Sequence, residues 1–592
     1  MFARKSAQDR LKTWRSDLLV PCLIVLVSFV VRLAALWHWG TGAIESDGAE
    51  YVRIAQNLRT GVGYVGIVTP GRELNFSPLI PLLIAAASFV TGSYVRAGRL
   101  VCLVLGSFLP LLGFGIASRL FNRRAAWVAA ALMLFHPLLI HLSFTMLSEG
   151  PYATLLLSAV YVVLLALNRP SIRTWCLVGG AFSLAYLVRP EAAAPLLIAA
   201  LFALMATEGK LGIRSKRAVA AIAVFAALSL PQVIFIYKST GKVRLDGKSA
   251  LVFAEGARIL AAQANLEAGR PVAQWQHDVP SSEPNVESWE PWPEKWASAA
   301  INDKLEGTGV WMRPNAEVIR ETITPRELTR ILGKATRKNL PAIFEQLSSK
   351  WLGAPFLPAL ALLGAVRRPW RRPLASSRLF IMLVPVTTVG ATFSALWSYP
   401  RFYFALVPFL LLWAANGLVE LGRWTKATNA AAGRPWLSPI MSELIVPGLM
   451  ALAVIIYPLK GVRALYEFTE GSPSSHLVKE VGLWIGQQQD RPARIMYFMP
   501  PVVFHANGQL VNFPYCSAEL ALRYLDAARV DYVVLHRGAK FTKYYEEWLT
   551  RGIPDPRAQL VYESSGANPG EYLVYRWHPA LPEGQKAPKN GG

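Results

Sequence analysis

Long apolar runs separated by short polar turns fill the first 458 residues of the chain. The first run, Leu18–Trp37, has about the 20 apolar residues that a membrane-spanning helix needs. By the same criterion the sequence predicts about eleven spans. After the first, they cover residues 95–118, 125–144, 152–167, 175–188, 192–206, 218–237, 340–366, 379–397, 402–421 and 439–457. This pattern is typical of a polytopic α-helical membrane protein.

Basic turns between the runs set their predicted orientation. The N-terminus is basic and the first run is too long for a cleaved signal peptide, so we expect an uncleaved anchor with a cytoplasmic N-terminus. Residues 38–95 then form a first outer loop. Its apolar stretch 78–91 is interpreted as a juxtamembrane or re-entrant helix, because a span there would put the basic turn at 119–124 outside. Residues 238–340 are too long for a simple connection and predict a structured second outer loop.

From about residue 459 the pattern changes to that of a soluble α/β domain, which we expect outside the membrane. Segments rich in Val, Tyr and Ile predict strands, and the stretches between them predict helices. The strands are expected at 494–499, 530–535, 560–562 and 571–576, and the helices at 517–528 and 541–550. A tail rich in Pro, Gly and Lys is expected to be disordered. The sequence thus predicts a membrane module at 1–458 and an extracytoplasmic α/β domain at 459–592.

Composition supports a membrane protein and argues against a nucleic-acid-binding protein, a disulfide-stabilised protein and a zinc protein. The 592 residues are 53% hydrophobic and carry a net charge of +23. Most of this positive excess lies in short turns between apolar runs, where it sets topology, so no nucleic-acid partner is expected. The four cysteines offer no disulfide framework and no CxxC metal site, and no histidine cluster favours zinc.

Charged residues gather at the predicted outer ends of several spans. These residues are Asp47, Glu50, Arg72, Glu149, Arg189, Glu191 and Arg401. Each has a structural alternative: Ser46 or Asp47 as a cap of a helix over 48–58, Glu149 as a cap, Arg189 and Glu191 as a local pair, and Arg401 as a snorkelling side chain. All of these residues lie on the predicted outer face, whereas the turns on the inner face are mainly basic. A shared polar cavity explains this one-sided distribution better than separate helix caps do.

Acids and arginines at a bilayer edge suit the chemistry of a lipid-linked phosphosugar. Arginine forks bind phosphate, and a carboxylate can take a proton from an attacking hydroxyl. The substrate would enter sideways from the membrane and bring its own leaving group, a lipid phosphate that needs positive charge more than a general acid.

The order of several short motifs resembles a known family. They are Ser46-Asp47-Gly48-Ala49-Glu50-Tyr51, Phe76-Ser77-Pro78-Leu79, Arg99-Leu100-Val101, Leu147-Ser148-Glu149-Gly150, Leu187-Val188-Arg189-Pro190-Glu191, and Tyr399-Pro400-Arg401-Phe402-Tyr403 followed by Leu406-Val407-Pro408. Over about residues 20–420 the chain is similar to the dolichyl-phosphate-mannose protein mannosyltransferase superfamily, which includes the bacterial aminoarabinose transferases. The resemblance implies the GT-C fold and a glycosyltransferase activity.

The resemblance also implies roles for individual residues. Asp47 takes the position of the catalytic base. Glu149 takes that of the second outer-loop acid and is expected to act with it by positioning the acceptor or substrate. Residues expected to bind the donor phosphate or substrate are Arg72, Arg189, Glu191, Tyr399 and Arg401. Relatives often have two adjacent acids in the first loop, whereas Gly48 and Ala49 separate Glu50 from Asp47 here, so Glu50 and Tyr51 are left open as site residues.

The expected reaction moves a hexose or pentose from a polyprenyl phosphate to a hydroxyl of a protein, lipid or glycan acceptor, with inversion. Residues 238–340 and the C-terminal domain would supply acceptor contacts. The expected reaction requires no cofactor. Binding of Mg²⁺ or Mn²⁺ by the carboxylate oxygens of Asp47 and Glu149 is an alternative that the sequence leaves open. The expected location is the bacterial inner membrane. A flippase or polymerase of lipid-linked glycans, a transporter, and a non-catalytic assembly protein are the alternatives.

Overall fold

The computed structural model describes most of the chain outside residues 248–353. The described residues are 7–39, 44–68, 71–241, 243–247, 354–367, 370, 374–393, 400–432, 438–469, 473–513, 518–538, 543–565 and 570–578, with 329, 333, 337, 341 and 345. The predicted outer loop 238–340 and Tyr399 therefore lie largely or wholly outside the described residues.

Two compact units are present. Unit 1 contains the described residues of 1–40, 77–234 and 334–468. Unit 2 contains those of 41–76, 235–333 and 469–592, so residues 41–76 of the predicted first outer loop belong with the C-terminal domain. The sequence did not predict this association, and a domain boundary after residue 458 stays a prediction.

Unit 1 is helical. Its α-helices are Ala7–Trp39, Leu79–Thr91, Tyr94–Ser107, Leu109–Leu120, Arg123–Phe135, Pro137–His141, Glu149–Asn168, Ile172–Tyr186, Ala193–Ala206, Leu357–Val366, Leu374–Phe393, Val407–Ala431 and Pro439–Thr469, and the helix Leu211–Thr240 crosses into unit 2 at its end. Short 3₁₀ helices cover Pro190–Ala192 and Pro400–Leu406. Among the described residues, six helical segments are long and apolar enough to cross a membrane, and four shorter apolar helices accompany them. The predicted polytopic helical architecture is confirmed.

Two of the predicted spans contain a break between helices near a proline. Residues 94–120 form two helices that meet at Phe108, and together they make one segment long and apolar enough to cross a membrane. The predicted span 125–144 ends as a helix at Phe135, because His136 has an extended backbone ahead of Pro137. Proline has no N–H to donate and disfavours helical geometry in the residue before it. The chain therefore turns before it reaches Glu149.

A buried arginine ties the first helix to this turn. Arg32 is fully buried, and its Nε donates to Ser143 Oγ at 2.9 Å while Nη2 donates to the carbonyl oxygen of Met133 at 3.2 Å. Ala35 of the same helix packs with Ile140 and Phe144. These contacts hold in place the segment that leads into the helix Glu149–Asn168.

Unit 2 contains the small α/β domain that the sequence predicts. Its strands are β1 (Arg494–Met496), β2 (Gln509–Val511), β3 (Tyr532–His536), β4 (Ala558–Glu563) and β5 (Tyr572–Trp577), in the order β2-β1-β3-β5-β4. β1 pairs in parallel with β2 and β3, whereas β5 is antiparallel to β3 and β4. Its helices are Pro473–Gln487, Pro500–His505, Ala518–Ala527 and Lys543–Arg551.

A further helix belongs to the described part of unit 2. The Asp47 helix, Ser46–Arg59, begins after Glu45, which has an extended backbone and makes no side-chain capping bond within the described residues. The alternative in which Ser46 or Asp47 caps the helix is therefore wrong, because both lie inside its first turn. The Asp47 helix packs against the helix Pro500–His505 of the α/β domain.

Candidate functional site

The predicted site residue Glu149 is the first residue of its helix. Its side chain is only 3% exposed, and the preceding Ser148 occupies the N-cap position. The helix N-terminus carries a partial positive charge that favours a carboxylate. Gly150 allows the preceding chain to pack closely, since a Cβ there would lie 2.2 Å from the carbonyl oxygen of Leu142. The alternative of Glu149 as a simple cap is not what the structure has.

Two arginines converge on the Glu149 carboxylate. Arg401, from the 3₁₀ helix Pro400–Leu406, donates from Nε to Oε1 at 2.5 Å and from Nη2 to Oε2 at 3.2 Å. Arg189 donates from Nη1 to Oε1 at 2.9 Å. Arg401 is thus held in the bidentate geometry that a guanidinium fork makes with planar anions.

A second glutamate completes this group. Glu191 Oε1 accepts from Nε of Arg189 at 3.3 Å and from its Nη2 at 3.0 Å. Its other oxygen, Oε2, is buried and accepts no hydrogen bond from the part of the chain that the structure describes. The Arg189 guanidinium also lies over the Tyr152 ring, 5.7 Å from its centroid. We call Glu149, Arg189, Glu191 and Arg401 the charged cluster.

The charged cluster balances two positive side chains against two negative ones. The exposed fractions of the Arg189, Arg401 and Glu191 side chains are 18%, 29% and 27%. The arginines are therefore partly open to a ligand even though their forks are occupied by carboxylates. An incoming phosphate would find the same donor geometry that the carboxylates use.

Asp47 lies in unit 2, half-buried in the first turn of its helix. An acidic side chain is favoured in the first turn of a helix. Glu50 follows one turn later and is buried, with 1% of its surface exposed. The two acids thus have different surroundings although they share one helix.

Glu50 faces the segment that returns from the helix. Its Oε2 accepts from the Ile67 N–H at 2.8 Å and its Oε1 from the Val68 N–H at 2.7 Å. A Cβ on Gly66 would lie 2.3 Å from Glu50 Oε2 and 3.3 Å from Oε2 of Glu73. Only a glycine leaves room at that point for the two carboxylates.

Glu73 is the site residue that the sequence reading missed. It is fully buried, and its Oε1 accepts from the Asn75 N–H at 2.6 Å. Burial and the Glu73 charge raise the pKa of Glu50 to about 8, against the two backbone N–H groups that favour the ionised form. A buried pair of like charges holds a proton near neutral pH. The only signal in the sequence was an acid beside Arg72 in a short polar loop.

Tyr51 and Arg72 are the other two predicted site residues of unit 2. Tyr51 is buried and meets Phe76 edge-on with ring centroids 5.2 Å apart, so it has a packing role in this structure. Arg72 is exposed, lies 6.0 Å from the Phe235 ring centroid and reaches Ser239 Oγ at 3.5 Å.

The predicted site residues thus form two groups. Glu149, Arg189, Glu191 and Arg401 contact one another in unit 1, whereas Asp47, Glu50, Tyr51 and Arg72 belong to unit 2. Within the described ranges, no group of three or more His, Cys, Asp or Glu side chains fits a metal ion.

Residues 75–235 match the family model for dolichyl-phosphate-mannose-protein mannosyltransferase. This segment includes Glu149, Arg189 and Glu191. No curated protein matches the chain in a sequence comparison.

Solved structures match nearly the whole chain. AglB from Archaeoglobus fulgidus, an archaeal oligosaccharyltransferase in complex with an inhibitory peptide and a dolichol-phosphate, is 16% identical with a TM-score of 0.55, over 96% of this chain and 76% of that chain. The Archaeoglobus fulgidus oligosaccharyltransferase in complex with Zn and sulfate is 15% identical with a TM-score of 0.55, over 94% of this chain and 73% of that chain.

A second protein has a similar length. ArnT from Cupriavidus metallidurans, bound to undecaprenyl phosphate, is 12% identical with a TM-score of 0.50, over 95% of this chain and 98% of that chain. The chain therefore has the GT-C fold of these glycosyltransferases, and the resemblance to the protein mannosyltransferase and aminoarabinose transferase superfamily inferred from its motifs is confirmed.

Proposed function

We propose that this chain is an integral-membrane glycosyltransferase. It moves a hexose or pentose from a polyprenyl-phosphate donor to an acceptor hydroxyl on the extracytoplasmic face, with inversion. The charged cluster carries this proposal: two arginine forks meet at one buried glutamate at the start of a membrane helix. Three of its members fall in the segment that matches the mannosyltransferase family model. Structures of the same fold bind undecaprenyl phosphate and dolichol-phosphate, which supports a lipid-phosphate donor.

The proposed reaction is a single displacement at the anomeric carbon. The acceptor oxygen forms a bond to that carbon as the bond from the carbon to the phosphate oxygen breaks. Asp47 takes the proton of the acceptor hydroxyl, and the bonding electrons leave with the lipid phosphate. Attack from the face opposite the phosphate inverts the configuration. A carboxylate within hydrogen-bond reach of the acceptor hydroxyl suits the role of base.

Arg189 and Arg401 are proposed to neutralise the charge that develops on the departing phosphate. Such fixed positive groups stabilise a transition state without reorganisation at the moment of reaction. Glu149 is proposed to orient both forks and to keep the cluster neutral while no donor is bound. Arg72, Glu191 and Tyr399 stay predictions as further substrate contacts.

The proposal names the donor and the acceptor only by chemical class. The acceptor is a protein, a lipid A-like lipid or a cell-wall glycan, and the carrier is a bacterial polyprenyl rather than dolichyl chain. The proposed location is the inner membrane, with the N-terminus in the cytoplasm and the C-terminal domain outside. No step is assigned to a divalent cation.

The test is release of free polyprenyl phosphate by purified protein in lipid nanodiscs. A panel of radiolabelled polyprenyl-phosphate sugars is supplied with a membrane extract as acceptor. Wild type is compared with Asp47→Asn and with Glu547→Gln, a control that removes an exposed carboxylate from unit 2. We expect Asp47→Asn to lose about 10²–10⁴-fold in rate, the usual contribution of a general base.

The outcomes separate the residue assignment from the function. Near wild-type turnover by Asp47→Asn would remove Asp47 from the role of base and leave the transferase activity intact. If folded wild type turns over no donor, a flippase, a polymerase or a transporter becomes the better reading. A flippase or transporter would move the labelled lipid across a bilayer without releasing its phosphate, which a parallel assay with the protein in sealed liposomes reports.

A further inference from the structure

The Asp47 helix is fixed to the C-terminal domain through Arg53. Arg53 Nη1 donates to Asn507 Oδ1 at 2.9 Å, and Nη2 approaches the carbonyl oxygen of Phe504 at 3.5 Å. The guanidinium also lies over the Phe504 ring, 5.8 Å from its centroid. All three residues belong to unit 2. Three contacts on the rigid fork of one arginine define its orientation.

Asn507 presents its side chain from an unusual backbone conformation. Its φ is 49°, in the left-handed region, where the chain leaves the helix Pro500–His505. The turn is closed by the Asn507 N–H on the Phe504 carbonyl at 3.0 Å and by the Gly508 N–H on the Val503 carbonyl at 2.9 Å. Glycine suits this conformation best, but only a residue such as asparagine adds an acceptor. The asparagine at this turn therefore provides the acceptor for Arg53, which a glycine, although less strained at this φ, would not provide.

Arg53 is partly withdrawn from water at this contact. It is half-buried, and its Nε is enclosed without a partner among the described residues. Burial lowers the pKa of Arg53, with the charge of Glu50 one turn earlier acting in the opposite direction. A guanidinium desolvated to this extent is held by specific contacts rather than by solvent, so its removal should loosen the helix that carries it.

We infer that the C-terminal domain is a positioning element for the Asp47 helix, with Arg53 as the positioning residue. The inference rests on the proposed function, in which Asp47 is the base. Arg53 follows Asp47 by six positions, about 9 Å along a helix that rises ~1.5 Å per residue. A tilt of about 10° around Arg53 would shift Asp47 by about 1.5 Å. A displacement of ~1 Å in a reacting group can reduce the rate by up to about 10²-fold.

The test uses a substitution that the fold accepts. Asn507→Gly removes the acceptor and relaxes the left-handed turn, so the domain should stay folded. The matched control is Arg529→Gly, because Arg529 has a φ of 50° after the helix Ala518–Ala527 and is exposed. Asn507→Asp keeps an acceptor and tolerates the same backbone. Arg53→Gln removes the guanidinium, which is the donor of the same contact.

Two readouts are expected to move together. Hydrogen exchange in the Asp47 helix should become at least about tenfold faster in Asn507→Gly and Arg53→Gln, since the contact opens more often. Donor turnover should fall about 10- to 100-fold in kcat with KM for the donor little changed. Asn507→Asp and Arg529→Gly should match wild type in both readouts.

The inference is overturned if exchange in the Asp47 helix is the same in Asn507→Gly, Arg53→Gln and wild type. It is also overturned if both variants loosen the helix but keep wild-type kcat. Failure of the proposed function looks different: wild type itself then releases no polyprenyl phosphate, while the exchange data still report whether the domain holds the helix.

Discussion

Replacing Glu149 by glutamine removes the only negative charge shared by Arg189 and Arg401 in the described cluster. The substitution keeps the size of the side chain, so packing at the start of the helix is little altered. The cluster changes from neutral to a net positive charge at the edge of a membrane helix. We expect this variant to be destabilised well beyond an ordinary surface substitution.

The magnitude follows from burial and from the remaining partners. Removing one partner of a buried ion pair costs about 3–5 kcal/mol, because the other charge stays uncompensated. Arg189 keeps Glu191, and Arg401 is 29% exposed, which places the expected loss at the low end, about 3 kcal/mol. Glu191→Gln should cost about 1 kcal/mol or less, since Arg189 then keeps Glu149.

A second substitution separates charge balance from hydrogen bonding. Glu149→Gln combined with Arg401→Gln restores neutrality and leaves the pair of Arg189 with Glu191 in place. The double variant should therefore be more stable than Glu149→Gln alone. The coupling should reach about 1 kcal/mol or more, as expected for residues of one ion-pair network.

The assay is thermal unfolding in nanodiscs, followed by tryptophan fluorescence at one fixed scan rate. At about 2 °C per kcal/mol, Glu149→Gln should melt ~6 °C below wild type and Glu191→Gln ~2 °C below. The fixed scan rate is needed because unfolding of a large membrane protein is seldom reversible. A Glu149→Gln protein that melts within 2 °C of wild type, or a double variant no more stable than Glu149→Gln alone, would refute mutual neutralisation as the basis of the cluster.

Two further predictions concern Glu50 in unit 2. Gly66→Ala should destabilise by about 1–3 kcal/mol, because its Cβ would lie 2.3 Å from Glu50 Oε2; Gly212→Ala, with open space around it, is the control in the same melting assay. The pKa of Glu50 is raised to about 8 from an ordinary value near 4.5, so the folded state binds more protons between these values and stability should fall as pH rises through that window. In Glu50→Gln this fall should shrink, and an unchanged pH profile would show that Glu50 titrates normally.

Apolar run length predicted most of the helical part because the bilayer thickness fixes the length of a spanning helix. It failed where proline interrupts a run of uniform hydropathy. Residues 125–144 are apolar enough for one span, yet the helix ends at Phe135 ahead of Pro137. The rule that proline disfavours a helical predecessor, applied inside apolar runs, would have found this break.

The strands of the α/β domain were predictable where they are long enough to show a pattern of residue types. β3 and β5 are rich in branched and aromatic residues and were predicted to within about two residues. β2 was missed because its three residues, Gln509–Val511, are too few to show a period. Its pairing with β1 is decided by tertiary contacts rather than by its own sequence.

The charged residues show what a linear pattern leaves out. Sequence reasoning named Glu149, Arg189, Glu191 and Arg401 from their common position at span ends, and the structure brings these four into contact. The pair of Arg189 with Glu191 was named only as an alternative, and it is present; the binding of both arginines by Glu149 was not predicted. Sequence reasoning also missed Glu73, because the proximity of this acid to Glu50 arises only from the way the loop folds back onto the Asp47 helix.

A neutral cluster solves a physical problem that bare arginines would create. Two unpaired guanidinium groups at the edge of a membrane helix would be costly while no anion is bound. Glu149 and Glu191 remove that cost in the empty protein, and a doubly ionised lipid phosphate could then bind only by adding to or displacing a carboxylate. The binding of such a ligand would be weak relative to that at free arginines, because its affinity is reduced by the strength of the pairs it replaces. For a transferase this is useful, since its lipid-phosphate product has to leave before the next donor enters, and charge that is already partly balanced favours release.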